Sequence, residues 1–226
     1  MRLSRLAILA SAVALVGAAL WTASDPHDAA LGLFVAAGAL IIAGAAWIER
    51  SPGSAAELTL VATLGAAAAA GRVLFAAVPG VQPVTVICVA SGVALGARAG
   101  FAVGAVAALV SNLFLGQGPW TPWQMLFWGG CGVAGALAAP LLRRRLPFAV
   151  ACLVLGFAFS VGMDLWEWYS FYPHTWAALT VQLGRGFWFD AAHAIGNVVM
   201  ALVVGPELRR LLERYGKRLR AEIVWV

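Results

Sequence analysis

The chemically most informative part of the chain is the stretch from Ser111 to Met125, which places amides, prolines and indoles between two apolar runs. It reads Ser-Asn-Leu-Phe-Leu-Gly-Gln-Gly-Pro-Trp-Thr-Pro-Trp-Gln-Met. A bilayer-spanning chain keeps polar side chains only where something offsets the cost of removing them from water. Because these groups gather where one apolar segment ends and the next begins, the stretch predicts a small-molecule binding site in a membrane protein.

Ionisable and amide side chains also lie inside other apolar runs, and apart from Arg98, which marks a turn on the opposite side, they approach the same predicted side of the membrane. Asp164 and Glu167 are one helical turn apart, and Asp190, His193 and Asn197 follow i, i+3, i+7 spacing, so each set shares a helix face. An ionisable residue within a membrane helix is a functional-site hypothesis by default. The predicted pocket residues are Arg72, Gln82, Asn112, Gln117, Trp120, Trp123, Gln124, Trp128, Asp164, Glu167, His193 and Asn197.

Two other interpretations of these residues stay open. Arg72 would lock the bundle if it formed a buried ion pair with Asp164 or Glu167, and the protein would then be a non-catalytic scaffold. Alternatively, the two acids together with Asp190 and His193 would supply acid–base groups to a membrane-embedded enzyme. No nucleophile follows at a matching spacing and the chain has no H-E-x-x-H motif, so we expect no catalytic residues, no bound metal and no cofactor.

The composition indicates that the natural solvent of the chain is lipid. Of 226 residues, 62% are apolar and only 11% are charged, whereas soluble domains carry about 25% charged residues. A membrane-spanning helix needs about 20 mostly apolar residues. We therefore predict an all-α integral membrane protein with about eight transmembrane segments, at residues 5–22, 28–48, 57–78, 83–97, 100–116, 122–142, 147–170 and 186–208.

The distribution of basic residues predicts the topology. Arginines recur at alternate segment ends and in the last residues, which places both termini in the cytoplasm. The linker-like Ser-Pro-Gly-Ser-Ala-Ala at 51–56 divides the chain into an N-terminal transmembrane hairpin (1–52), a six-helix substrate-binding domain (53–210) and a basic cytoplasmic tail (211–226). Residues 170–185 are predicted to form an external loop. A secretory signal peptide is the competing interpretation of the first segment, although no good cleavage site follows it.

Small residues recur at four-residue spacing in two places. Gly92, Gly96, Gly100 and Gly104 form one series, and Ala62, Ala66 and Ala70 form the other. Small residues at this spacing let helix backbones approach closely in lipid. They predict either packing inside the protein or a smooth surface for another membrane subunit.

Three runs of the chain resemble the substrate-binding S components of energy-coupling factor (ECF) transporters. They are Arg-Val-Leu-Phe-Ala-Ala-Val-Pro-Gly-Val-Gln-Pro-Val-Thr at 72–85, Gly-Val-Ala-Leu-Gly-Ala-Arg-Ala-Gly at 92–100, and the run at 111–124 with its Gly-Gln-Gly-Pro-Trp-Thr-Pro-Trp-Gln signature. The resemblance covers residues 57–208, and the N-terminal hairpin lies outside it.

The resemblance implies a subunit of a bacterial plasma membrane that captures a vitamin at its outward face and topples to deliver it. Its partners would be a transmembrane coupling subunit and two cytosolic ATPases, in keeping with the absence of a G-x-x-x-x-G-K-[ST] motif from this chain. In the family, an Ala-x-x-x-Ala face on the first core helix meets the coupling subunit, and Ala62, Ala66 and Ala70 match it. This branch is associated with cobalamin or related corrinoids. The indoles and amides suit a large, flat, amide-bearing ligand, a description that also fits a flavin or a deazapurine.

Overall fold

The computed structural model describes residues 2–24, 29–49 and 54–222, and every regular element in these ranges is helical. This confirms the predicted all-α class. The elements are α1 (Arg2–Ser24), α2 (Ala29–Glu49), α3 (Ala55–Leu74), α4 (Val84–Leu95), α5 (Ala97–Leu115), α6 (Thr121–Leu137), α7 (Ala139–Leu142), α8 (Arg145–Phe171), α9 (Trp176–Val203) and α10 (Gly205–Glu222).

Five helices of the described chain, α2, α3, α5, α8 and α9, are long and apolar enough to cross a membrane. They indicate a membrane-embedded protein. Helix α4 has only 12 residues, fewer than the roughly 20 that span the hydrocarbon core. The count of eight transmembrane segments therefore stays a prediction.

The predicted external loop at 170–185 is wrong from residue 176 onward. Helix α9 begins at Trp176, where the Thr175 hydroxyl caps it by accepting from the Ala178 amide. Gln182 and Arg185 lower the local hydropathy without breaking the helix, because both side chains find polar partners across the α8–α9 pair. The last predicted segment, 186–208, differs from the observed helix at both ends. Helix α9 begins ten residues earlier, at Trp176, and ends at Val203, after which α10 follows.

The predicted segment at 122–142 is two helices rather than one. Helix α6 ends at Leu137, and the four-residue α7 carries Pro140 near its start. Proline has no amide hydrogen to donate and its ring clashes with the preceding turn, so it kinks or breaks a helix. The break lets the chain turn before α8 begins at Arg145.

The glycine series at 92–104 packs inside the bundle. A Cβ atom on Gly92 or Gly100 would collide with the backbone of Gly132, and one on Gly104 would collide with the backbone of Trp128. Helices α4 and α5 therefore approach α6 at backbone contact, and internal packing is confirmed for these three positions. Gly96 instead separates α4 from α5, with a φ of 99° that favours glycine.

The N-terminal hairpin lies against the core. Helices α1 and α2 pack on each other, and α2 also contacts α5, α6 and α8. At Gly44 the missing side chain leaves room for the ring of Phe101. The predicted domain boundary near residue 52 stays a prediction.

The glycine contact yields a stability prediction with a matched control. Gly92→Ala should destabilise the purified protein by about 1–3 kcal/mol, because the added methyl group meets backbone that cannot rotate away. Gly130→Ala adds the same group to a helix where nothing lies within 4 Å, and alanine is the better helix former by about 1 kcal/mol. Unfolding of both variants in the same detergent measures the difference, and equal stabilities would contradict the packing described here.

Candidate ligand-binding site

The centre of the candidate site is Arg72, which is partly buried near the end of α3. Its Nε donates to Gln82 Oε1 at 2.9 Å, and its Nη1 donates to Ser111 Oγ at 2.7 Å and to Asn112 Oδ1 at 2.5 Å. The three acceptors come from the α3–α4 loop and from the last two turns of α5. One guanidinium group therefore ties three separate parts of the chain together.

A second set of hydrogen bonds extends this network to the start of α6. Asn112 Nδ2 donates to Thr121 Oγ1 at 2.9 Å and to Gln124 Oε1 at 2.8 Å, and the Thr121 hydroxyl donates to Gln117 Oε1 at 2.8 Å. The polar groups thus meet at one end of three helices. We call this set the arginine cluster; it consists of Arg72, Gln82, Ser111, Asn112, Gln117, Thr121 and Gln124.

Aromatic rings adjoin the arginine cluster on the interior side. The Arg72 Cζ atom lies 4.8 Å from the ring centroid of Trp128, a cation–π contact, and Trp128 is fully buried. Phe159 stacks on Trp128 with a centroid separation of 4.2 Å, and His193 lies 5.5 Å from Phe159. Phe127 completes the set by an edge contact with Phe159. We call these four rings the aromatic wall.

His193 joins the α3–α4 loop to α9. Its Nδ1 lies 2.6 Å from the Gly80 carbonyl oxygen, and Asn197 Nδ2 donates to the His193 carbonyl oxygen at 2.9 Å. Gly80 has a φ of 76°, and a Cβ there would approach the backbone of α9 to 2.8 Å. Only glycine fits both conditions, so the loop is held closely over α9.

Several buried polar atoms beside the aromatic wall have no hydrogen-bond partner among the described residues. They include Nε1 of Trp123, Nε1 of Trp128 and Nε2 of His193. Trp123 belongs to this region through its contact with Phe127, 6.1 Å between centroids. A buried polar group left unpaired costs about 1–3 kcal/mol. Three unpaired groups around one set of rings are typical of a place where a ligand supplies the missing partners.

A second polar cluster lies between α8 and α9. Gln182 Nε2 donates to Glu167 Oε2 at 3.0 Å and to Asp164 Oδ1 at 3.3 Å, and Arg185 forms a salt bridge of 3.2 Å with Glu167. The Asp190 carboxyl lies beside that of Asp164. We call this set the acid cluster; it consists of Asp164, Glu167, Gln182, Arg185 and Asp190.

The predicted ion pair between Arg72 and Asp164 or Glu167 is wrong for the described chain. The hydrogen bonds of Arg72 go to neutral oxygen atoms, and its guanidinium lies over Trp128 of α6 rather than beside α8. The two acids instead accept hydrogen bonds from α9. Charge pairing therefore does not join the two clusters.

The structure distributes the predicted pocket residues over several places. Trp120 lies outside the arginine cluster: its ring is 37% exposed, packs over Gly118 and donates to the Gly116 carbonyl oxygen at 3.3 Å. The arginine cluster contains Arg72, Gln82, Asn112, Gln117 and Gln124; the acid cluster contains Asp164 and Glu167; Trp123, Trp128, His193 and Asn197 lie in or next to the aromatic wall.

Seven residues of the two clusters and the aromatic wall were not predicted as pocket residues; they are Ser111, Thr121, Phe127, Phe159, Gln182, Arg185 and Asp190. Ser111 and Thr121 lie within the polar stretch, so their position next to Asn112 and Gln124 was an available signal. Gln182 was hidden by the wrong loop assignment. Phe159 lies in an unbroken apolar run and gives no signal that distinguishes it from its neighbours.

Comparison with known proteins assigns the chain to no family. No protein-family model matches the chain, and neither a curated protein nor a solved structure is significantly similar to it. The fold and the site define an all-helical, membrane-embedded protein with a polar cluster where α3, α5 and α6 meet.

The hydrogen bonds of Asn112 yield a second stability prediction. Asn112→Ala should destabilise the protein by about 1–3 kcal/mol, because Arg72 and Gln124 both lose a buried partner. Thr59→Ala is the control, since Thr59 is exposed and its hydroxyl bonds only the Ala55 carbonyl oxygen of its own helix. The measurement is thermal unfolding in detergent. If both variants matched the wild type, Asn112 would not connect α5 to α6.

Proposed function

We propose that the protein is the substrate-capture subunit of an ECF-type importer and binds a vitamin at the outward end of the bundle. The observation that carries this proposal is the convergence of Arg72, Gln82, Asn112 and Gln124 where α3, α5 and α6 meet. Membrane proteins place polar side chains within their spanning helices mainly for substrate or ion handling.

The aromatic wall supports the proposal because it adds an apolar surface to the polar cluster. Ligand pockets are lined mostly by apolar and aromatic side chains, with a few polar groups that fix the orientation of the ligand. The unpaired indole nitrogens of Trp123 and Trp128 are hydrogen-bond donors beside this wall. Indoles and amides together suit a flat, amide-bearing molecule, so cobalamin or a related corrinoid is the first substrate to test.

The surface of α3 supports the proposed partnership with a coupling subunit. Ala62, Ala66 and Ala70 are all exposed and follow one another at four-residue spacing along the helix. Their exposure in the described chain leaves this row accessible to a helix of another subunit. The chain has no P-loop motif, so such an importer needs separate ATPase subunits.

The enzyme and scaffold interpretations lack comparable support. His193 directs Nδ1 toward a backbone carbonyl oxygen, and the carboxyl groups of Asp164 and Glu167 bond Gln182 instead of the imidazole. The ion pair that would make the polar residues a lock is not formed. The importer remains the function to which the site is best suited.

The first functional prediction concerns substrate binding. Purified protein should bind its vitamin without ATP. Calorimetry measures the binding of cobalamin, and mass spectrometry identifies any ligand that co-purifies with the protein. Gln124→Ala should weaken binding by about 1–3 kcal/mol through the loss of one polar contact. Thr59→Ala is again the control. Unchanged affinity in Gln124→Ala would contradict the placement of the pocket.

The second functional prediction concerns the alanine face. Ala66→Leu should abolish co-purification with the coupling subunit and ATPases when all are co-expressed, because the larger side chain prevents close helix approach. Substrate binding should be unchanged. Ala158→Leu makes the same change at an exposed position on α8 and should leave the complex intact. Equal complex yields for both variants would mean that this face is not the docking surface.

A further inference from the structure

We propose that the ligand of the arginine cluster carries an oxyanion, a carboxylate or a phosphate ester, which binds the Nη2 end of Arg72. This inference rests on the proposed function and narrows its substrate class. It follows from the number of free donors on the guanidinium and from the charge of the groups around it.

The donor count leaves one nitrogen of Arg72 available. A guanidinium has five N–H groups, one on Nε and two on each terminal nitrogen. Gln82 accepts from Nε, and Ser111 and Asn112 accept from Nη1. Within the described chain no hydrogen bond is made by Nη2. Both of its N–H groups are therefore free to bind oxygen atoms of a ligand.

The surroundings of Arg72 supply no negative charge. Its three acceptors are two amide oxygens and a hydroxyl, and none of the salt bridges between described residues includes it. An arginine side chain keeps its proton in proteins. A partly buried cation without a counter-ion is costly, and the penalty falls when an anion binds. The arginine cluster thus carries one net positive charge, and the free donors point to where an anion would bind.

The polar network around Arg72 already holds the guanidinium in place. Asn112 is itself fixed by Thr121 and Gln124, so the group that accepts from Nη1 has little freedom to move. A ligand oxyanion would meet a donor that is oriented before binding, which lowers the entropy cost of association. A charged hydrogen bond of this kind is also roughly twice as strong as a neutral one.

The acid cluster differs from the arginine cluster in the sign of its charge. It contains three carboxyl groups and one guanidinium, Arg185, and it lies between α8 and α9. An oxyanion would be repelled there and attracted to Arg72. The charge distribution thus favours the arginine cluster over the acid cluster as the place where an anion binds.

The test uses pairs of small probes of similar size, one anionic and one neutral, added to the full-length protein in detergent at constant ionic strength. Benzoate is compared with benzamide, and dimethyl phosphate with trimethyl phosphate. We expect a concentration-dependent rise in the unfolding temperature with at least one anion and none with its neutral partner, since a ligand that binds only the folded state stabilises it. The arm that responds distinguishes a carboxylate from a phosphate ester. No response to either anion overturns the inference.

Three variants assign the response to Arg72. Gln82→Glu places a carboxylate beside Nε and should abolish the response to the anion without unfolding the protein, because the shape of the side chain is kept. Arg72→Gln should weaken apparent binding about tenfold or more, the loss of one charged hydrogen bond. Arg214→Gln makes the same charge change at an exposed position on α10 and should respond like the wild type. An undiminished response in Gln82→Glu would place the anion elsewhere and overturn the inference.

Failure of this inference is distinguishable from failure of the proposed function. Suppose that a neutral molecule co-purifies with the wild type and is lost in Gln124→Ala, while the complex with the ATPases stays intact. This result would overturn only the oxyanion assignment. An anion response at Arg72 without any association with a coupling subunit would overturn only the importer.

Discussion

The arrangement of the core depends on how the positive charge of Arg72 is accommodated at the end of a membrane helix. A guanidinium removed from water needs acceptors for its N–H groups, and here they come from a loop and from α5. These three bonds hold the α3–α4 loop and the last turns of α5 beside the end of α3. Asn112 connects these groups to α6 by donating a hydrogen bond to Gln124. The arginine cluster is one connected hydrogen-bond network because the single positive charge of Arg72 needs acceptors.

Backbone contact between helices makes this network possible. Gly92, Gly100 and Gly104 let α4 and α5 lie directly on α6, with no side chain between them. In lipid there is little hydrophobic driving force between helices, so such close van der Waals packing is a main source of their association. The same approach brings Trp128 beneath Arg72 and against Phe159. A larger residue at the glycine positions would move α6 and with it Thr121 and Gln124 of the arginine cluster.

The described chain holds two polar clusters of opposite charge, the arginine cluster and the acid cluster, and this division shapes the function proposed for the site. The arginine cluster has free donors, whereas the carboxyl groups of Asp164 and Glu167 are engaged by Gln182. The rings of Trp128 and His193, whose nitrogens are unpaired, both contact Phe159. A ligand that paired these groups would contact several helices at once. Such a site is sensitive to any motion of one helix against another.

The sequence by itself indicated that the chain lies in lipid, that it is helical, and which residues form much of the arginine cluster. Long apolar runs with few charges are typical of membrane helices, and Asn112 and Gln124 lie on either side of a short turn. The partners of Arg72, which lie 10, 39 and 40 residues away, were decided only by the tertiary structure. The same holds for the start of α9 at Trp176, because hydropathy registers the polarity of Gln182 and Arg185 but not the partners they find on α8. Composition and spacing are local properties, whereas the pairing of buried polar groups depends on how each helix is rotated and packed.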